Sequence, residues 1–364
     1  MKTRVGASSS RLVVVGALCV LWLAIAAILY VVFVSRTDHT DFFPRWAGAR
    51  IALFEARDPY SEAATRDIQQ TIYGRLRLDT EDQQGFTYPA FIIPLLFPFW
   101  LLPMRIASAL WSSLSVLMVI ALVYVLGQIR RQTAWVVVCV LATAHILLVI
   151  FQGQMTLFAV ACLGIAYWMY TQSRDVAAGG LLVFAAIKPE LVVLPVAVLI
   201  GWAIWERRWK LVVTFLLSLL LILALSVVIA GFWAPSWLAQ VRDYQGYAKS
   251  VWPVKVLYQY KWVSALACLI LAGLASRRIQ RNRDVIFAIV CVLNMVLVPQ
   301  TLPYSLAALL LPVALIVLRH GATWAPIIAA SSWGVLFVPY RIQMAAVPLI
   351  VCGLLLITAQ KRQR

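Results

Sequence analysis

The stretch FTYPAFIIPLLFPFWLLPMR, at residues 86–105, determines the predicted membrane topology of the segments that follow it. It is long enough to cross a hydrocarbon core of about 30 Å, but Pro89, Pro94, Pro98 and Pro103 interrupt it. Each proline inside a helix removes a backbone hydrogen bond and clashes with the preceding turn. We therefore interpret the stretch as a broken or re-entrant segment on the outer side of a membrane.

The composition indicates a polytopic membrane protein. Of the 364 residues, 63% are hydrophobic and 12% are charged, whereas about a quarter of the residues in a soluble domain are charged. The apolar runs are continuous rather than alternating, which predicts spanning helices. The net charge of +17 is spread over small basic clusters between these runs. Such clusters are typical of membrane topology signals, so we expect no nucleic-acid partner.

The basic clusters predict a single transmembrane domain over residues 1–364, with about twelve spans and both ends cytoplasmic. An outer loop at 35–105 carries surface helices and the re-entrant segment, and a second outer loop covers 232–262. The predicted spans are residues 11–34, 106–127, 134–151, 155–171, 176–188, 189–205, 211–231, 263–275, 285–298, 304–318, 323–338 and 343–359.

Acidic residues are concentrated in the first outer loop, where nine of the fourteen in the chain lie between residues 38 and 82. We expect most of them to be ordinary solvated side chains. Asp41 differs because it lies where the first span leaves the membrane, just before an apolar-faced helix. A carboxylate there can act as a general base toward a membrane-bound substrate. Asp38 is the alternative base, and the sequence leaves both open.

Lys188 and Glu190 are the charged residues that lie deep within an apolar stretch. Ionisable groups within a membrane are costly and indicate function by default. Two structural alternatives stay open: the two residues pair with each other, or the Lys188 ammonium extends to the interface. The functional alternative is that Lys188 neutralises a phosphate at the membrane boundary. The six cysteines and three histidines show no spacing typical of a metal site.

Four segments of the chain resemble glycosyltransferase family 87, a group of polyprenyl-phosphate-sugar-dependent enzymes of the GT-C superfamily. The similarity covers roughly residues 12–215, with the segments in the family's order, and fades afterwards. The segments are DFFPRWAGARIALFEARDPY at 41–60, TYPAFIIPLLFP at 87–98, GQMTLFAVACLGIAYWMY at 153–170 and AAIKPELVVLPVAVLIGWAIWERRW at 185–209.

The resemblance implies roles for individual residues. The family's presumed general base falls on Asp41, its Lys-Pro pair on Lys188 and Pro189, and its Gln on Gln154. The expected substrate-binding residues are Lys188, Gln154, Arg45, Tyr60, Tyr88 and Arg341, with the phosphate held by Lys188 and either Arg45 or Arg341. Three departures, Arg57, Ala90 and Thr156, replace the family's Gly, Pro and Asn and leave the Asp and Lys in place.

The resemblance also implies an all-α GT-C type fold and an inverting transfer of a hexose or pentose, with mannose as the family-level expectation. The donor would be a polyprenyl-phosphate sugar and the acceptor a lipid or glycan hydroxyl, at the extracytoplasmic face of the cell membrane. No cofactor or metal is expected, although the acidic loop could in principle hold Mg²⁺ or Ca²⁺. The alternative function is a polyprenyl-lipid or small-molecule transporter or flippase, which would place charges near the bilayer midplane, often in repeated halves.

Overall fold

The structure, a computed structural model, describes residues 5–33, 41–79, 81–127, 133–250, 282–298, 303–318, 324–338, 343, 346–348 and 350–355. Among these residues every regular element is helical, which confirms the all-α prediction. The helices are α1 (Val5–Phe33), α2 (Phe42–Glu55), α3 (Glu62–Tyr73), α4 (Ile92–Leu95), α5 (Phe97–Trp100), α6 (Met104–Gly127), α7 (Thr133–Leu141), α8 (Ala144–Gln152), α9 (Thr156–Thr171), α10 (Asp175–Ala185), α11 (Pro189–Trp205), α12 (Trp209–Ala230), α13 (Ala234–Ser250), α14 (Arg283–Leu297) and α15 (Trp324–Leu336). Between α14 and α15, the 303–318 segment comprises a 3₁₀ helix (Pro303–Leu309), one α-helical turn (Leu310–Pro312) and a π-helix (Val313–Leu318).

Two of the described helices are long and apolar enough to cross a bilayer, Met104–Leu126 within α6 and Trp209–Ala230, which is α12. The consecutive helices α7 and α8 make a third span if the bent pair is counted as one. The outward side chains of α12 are largely apolar, as in Val228, which is 83% exposed. Apolar surface of this extent is typical of a protein that sits in lipid. The total of about twelve spans stays a prediction.

Helix α9 lies at the centre of the packing. Residues on all of its sides are buried, which is the pattern of a helix enclosed by others. It packs against α6, α10, α11 and the 303–318 segment. At Gly164 a Cβ atom would lie 2.3 Å from Leu122 Cδ1 on α6, so a small residue is what allows the two helices to approach closely. The residues at the two ends of α9 are therefore held by a packed scaffold.

The predicted span at 134–151 consists of two helices, α7 and α8, which meet at 70°. The backbone groups freed by this break find partners on α15. The Ala144 N–H donates to Ser332 Oγ at 3.0 Å, and Trp333 Nε1–H donates to the Ala142 carbonyl at 2.9 Å. Broken helices are tolerated in apolar surroundings where neighbouring side chains satisfy the freed groups. The apolar pattern of the sequence does not reveal such partners.

Residues 86–105 form no continuous helix, as their four prolines predicted. They contain two single turns, α4 and α5, before α6 begins. Helix α2, also expected from its apolar spacing, is fixed to this broken segment by hydrogen bonds. Trp46 Nε1–H donates to the Leu102 carbonyl at 2.9 Å, and Arg50 Nη1–H donates to the Trp100 carbonyl at 2.8 Å. The start of α2, which carries Asp41, is thereby held against the bundle.

Helix α13 comes from the predicted second outer loop at 232–262 and packs against the first. Trp237 Nε1–H donates to the Thr87 carbonyl at 3.0 Å. The Trp233 ring lies 6.5 Å from the Tyr60 ring, centroid to centroid. Residues 251–262 of this predicted loop lie outside the described residues. The two regions predicted as outer loops are therefore in contact with each other.

Candidate active site

Gln154 lies in a short turn between α8 and α9, and its side chain is fully buried. Helix α8 ends at Gly153, which has a left-handed φ of +63°. A Cβ atom on Gly153 would lie 2.7 Å from the Phe42 Cβ atom. Glycine meets both requirements, because it adopts positive φ without strain and leaves room for the neighbouring backbone. The turn thus brings Gln154 against the first residues of α2.

The Gln154 amide connects acidic and basic side chains. Its Nε2 donates to Asp41 Oδ2 in a close contact. Its Oε1 accepts from Arg45 Nη2 at 3.3 Å, from Lys188 Nζ at 3.3 Å and from the Tyr88 hydroxyl at 3.4 Å. We call these five residues the Gln154 network. All five were predicted as site residues from the sequence, and the structure brings them together.

Lys188 precedes α11 and is 4% exposed. Its Nζ also donates to Thr156 Oγ1 at 3.0 Å and lies 4.7 Å from the centroid of the Tyr304 ring. The distance from Nζ to Glu190 Oε1 is 4.0 Å, at the outer limit of an ion pair. Glu190 is therefore a more distant partner of Lys188 than Gln154 and Thr156 are. Its burial does not fit an ammonium that extends to the interface.

Arg45 lies one helical turn after Asp41 on α2 and is 8% exposed. Its guanidinium stacks over the Tyr88 ring, with Cζ 4.5 Å from the centroid. Among the described residues, neither Nε nor Nη1 of Arg45 has a hydrogen-bond partner. A buried cation with two unused donors is costly unless an anion completes its bonding. Arg45 is thus suited to bind an anionic group that enters from outside the protein.

An open cleft lies beside the network. Its lining combines two carboxylates, one guanidinium, two aromatic rings and small polar groups. The lining residues are Asp41, Pro44, Arg45, Asp82, Gln84, Gly85, Thr87, Tyr244 and Tyr304. No group of three or more His, Cys, Asp or Glu side chains among the described residues is arranged to hold a metal ion.

Asp82 is a second carboxylate of this cleft, and nothing in the sequence separates it from its acidic neighbours. Its Oδ1 accepts from the Gln84 N–H at 3.0 Å. Burial raises the pKa of Asp82, and the negative charge of Asp41 raises it further. The Gln84 N–H and the cations Arg45 and Arg77 offset part of this effect.

The other predicted site residues lie elsewhere. Tyr60 is behind the cleft wall, where its hydroxyl donates to the Tyr88 carbonyl at 2.6 Å. It supports the backbone of Tyr88 and is not among the residues that line the cleft. Arg341, and Asp38 as the alternative base, lie outside the described residues. The sequence did not single out Tyr304 as a contact of Lys188.

A second polar cluster lies at the opposite ends of the central helices. Arg208 pairs with Asp175 and donates to the Tyr170 carbonyl at 2.8 Å. The Tyr170 hydroxyl donates to Glu206 Oε2 at 2.7 Å, and Glu206 pairs with Arg283. Helix α11, with 17 residues, separates this cluster from the Gln154 network by about 26 Å at 1.5 Å per residue. That distance is close to the thickness of a bilayer core, about 30 Å.

Comparison with known proteins gives one family. Residues 86–358 match the model of glycosyltransferase family 87. The match includes Tyr88, Gln154 and Lys188, and it extends well beyond residue 215, where the resemblance was expected to fade. Asp41 and Arg45 precede the matched region. Comparisons with curated proteins and with solved structures gave no match.

Proposed function

The chain belongs to glycosyltransferase family 87 and is a membrane glycosyltransferase, and we propose that it takes its sugar from a polyprenyl-phosphate donor. The acceptor is a hydroxyl of a lipid or glycan, and the sugar is a hexose or pentose, with mannose as the first candidate. The cleft beside the Gln154 network is the reaction site. The anomeric configuration inverts in a single displacement.

One observation carries this proposal: a buried glutamine amide joins a carboxylate to two cations at the edge of a cleft. Gln154 donates to Asp41 through Nε2 and accepts from Arg45 and Lys188 through Oε1. Glycosyl transfer from a phosphate donor needs a proton acceptor for the attacking hydroxyl and positive charge for the departing phosphate. Here both requirements are met within one hydrogen-bonded group.

The roles follow from the chemistry of each side chain. Asp41 takes the proton of the acceptor hydroxyl as the hydroxyl oxygen forms a bond to the anomeric carbon. The bond from that carbon to the phosphate oxygen breaks, and its electron pair stays on the phosphate. Arg45, with unused donors, and Lys188, an ammonium point charge, stabilise the charge that develops there. Tyr88 holds the Arg45 guanidinium, and Tyr60 holds the backbone of Tyr88.

We place the cleft at the extracytoplasmic face of a multi-pass protein in the cell membrane. The far ends of α9 to α12 carry Arg174, Arg207, Arg208 and Lys210, and clustered basic residues favour the cytoplasmic side. The cleft lies at the other ends of these helices, near residues 153–156 and 188. A donor made in the cytoplasm would therefore have to be flipped before it is used.

Membranes that contain the wild-type protein, supplied with radiolabelled polyprenyl-phosphate mannose, glucose or arabinose, test the proposal. We expect label from one donor to move to a lipid or glycan product. Label that crosses the bilayer while it stays on its polyprenyl phosphate would instead establish a transporter or flippase. Label that neither moves nor crosses, with folded protein and a crude lipid extract as acceptor source, would refute dependence on these donors.

A further inference from the structure

The cleft has two chemically different walls. The wall formed by α2 carries Asp41 and Arg45, which the proposed function uses for proton and phosphate. The second wall is the loop at residues 82–87, which contributes a carboxylate, an amide and a hydroxyl. Tyr244 of α13 adds an aromatic ring. Carboxylates and amides accept hydrogen bonds from hydroxyls, and aromatic rings pack on the apolar faces of sugars.

The loop is held rigidly in this position. Phe86 is fully buried and packs so closely on α2 that a Cβ atom on Gly48 would lie 2.4 Å from its ring. A Cβ atom on Gly85 would lie 2.3 Å from Gln240 Nε2 of α13. The loop is thus clamped between α2 and α13. Groups on rigid supports select their ligands better than groups on mobile loops.

Asp82 is the charged group of this wall. The structure shows no ion pair of Asp82 among the described residues, and one of its oxygens is engaged by the Gln84 N–H. Desolvation by burial and the nearby Asp41 both raise its pKa, against the weaker influence of Arg45 and Arg77. Its charge is therefore unfavourable for stability, and a bound molecule that donates a hydrogen bond to it would offset part of that cost.

We infer that Asp82 binds a second hydroxyl of the acceptor sugar while Asp41 binds the attacking hydroxyl; this inference rests on the proposed function. Asp82 is then a specificity-determining residue, and the loop at 82–87 is the acceptor subsite. Arg45, which also lines the cleft, remains the anion site for the donor phosphate. The acceptor class that fits is a sugar or polyol with at least two free hydroxyls.

Transfer from the active polyprenyl-phosphate sugar to octyl α-mannoside and its monodeoxy analogues tests this inference in Asp82→Asn and wild-type protein. Asparagine keeps an acceptor for the Gln84 N–H but loses the charge. We expect the acceptor KM to rise about 10- to 100-fold, because one charge-assisted hydrogen bond is lost. The kcat and the donor KM should stay within about 3-fold of the wild-type values. One deoxy analogue should lose affinity for the wild type and show no further loss with Asp82→Asn.

Asp79→Asn is the matched control, because Asp79 is an exposed aspartate three residues away and does not line the cleft. A fall in kcat at unchanged acceptor KM would overturn the inference in favour of a role in the chemistry. Equal effects of Asp79→Asn and Asp82→Asn would overturn it in favour of a general charge effect. Transfer that depends on added Mg²⁺ or Ca²⁺, with the dependence lost in Asp82→Asn, would overturn it in favour of a cation site.

A thermal measurement separates this inference from the proposed function. Octyl α-mannoside should raise the melting temperature of the wild type more than that of Asp82→Asn, because a ligand stabilises the state that binds it in proportion to its affinity. This result would support the subsite even if no donor in the panel were active. Equal ligand-induced shifts in the two proteins would overturn the subsite even if transfer were observed.

The unliganded melting temperature distinguishes a binding role from a structural one. Because the pKa of Asp82 is raised on folding, the folded state binds more protons than the unfolded chain between the usual aspartate pKa and the raised one. Ionisation of Asp82 thus lowers stability as the pH rises through that interval. Asp82→Asn should melt higher than wild type at pH 7, with a smaller difference below the usual aspartate pKa. A lower melting temperature at pH 7 would indicate a structural role and overturn the inference.

Discussion

Replacing Gln154 by leucine removes the amide that connects Asp41 to Arg45 and Lys188 while it nearly preserves the volume of a fully buried side chain. Gln154 donates one hydrogen bond to the Asp41 carboxylate, and its Oε1 accepts three bonds of 3.3–3.4 Å from Arg45, Lys188 and Tyr88. A hydrogen bond to a charged group contributes about 1.5–3 kcal/mol. Since about 1.36 kcal/mol corresponds to a tenfold change in rate, loss of the bond that orients Asp41 should lower kcat about 10- to 160-fold.

Sugar transfer under saturating donor, followed in purified protein, is the assay. Gln154→Glu keeps an oxygen for Arg45 and Lys188 but loses the donor to Asp41 and sets a second carboxyl against the Asp41 carboxylate. We expect it to lose kcat at least as strongly as Gln154→Leu does. Gln152→Leu is the matched control, since its Oε1 has no hydrogen-bond partner among the described residues. A Gln154→Leu protein that keeps more than half of the wild-type kcat would refute the role of Gln154 in positioning the base.

Two further outcomes follow from the same contacts. Lys188→Met, which leaves Gln154 in place, should lower kcat/KM for the donor about 10- to 100-fold through the lost charge on the phosphate; an unchanged value in steady-state transfer would exclude Lys188 from phosphate binding. Gly48→Ala forces a Cβ atom to 2.4 Å from the buried Phe86 ring, so it should destabilise the protein by about 1–3 kcal/mol and lower the melting temperature. Gly16→Ala should not, because Gly16 has no neighbour within 4 Å among the described residues. Equal melting temperatures of the two variants would contradict the packing described.

Much of the fold could be predicted from apolar runs and prolines. The ends of α9, α11 and α12 agree with the predicted spans to within about two residues, because long apolar segments with polar ends leave few alternatives. The break between α7 and α8 could not be predicted, since it depends on partners supplied by α15, far along the chain. The same is true of the 303–318 segment, which is apolar throughout but changes from 3₁₀ to α to π geometry.

Five of the residues that the structure brings together in the Gln154 network were named from the sequence, but their connections were not. Asp41, Gln154 and Lys188 stand out in the sequence as polar groups next to apolar runs. The sequence does not reveal that one amide joins them, because that depends on the turn at Gly153 approaching α2. Asp82 resembled its solvated acidic neighbours, and only the packing of Phe86 on α2 explains why it faces the cleft.

The rate of sugar transfer by Asp41→Asn, measured beside Asp38→Asn, tests the central claim most directly. Asparagine keeps the size and an acceptor oxygen of Asp41 but cannot take a proton at neutral pH. A general base contributes about 10²- to 10⁴-fold to a rate, so we expect kcat of Asp41→Asn to fall by that amount with donor KM little changed and Asp38→Asn near wild type. Full transfer by Asp41→Asn, with loss in Asp38→Asn, would contradict the assignment of Asp41 as the base.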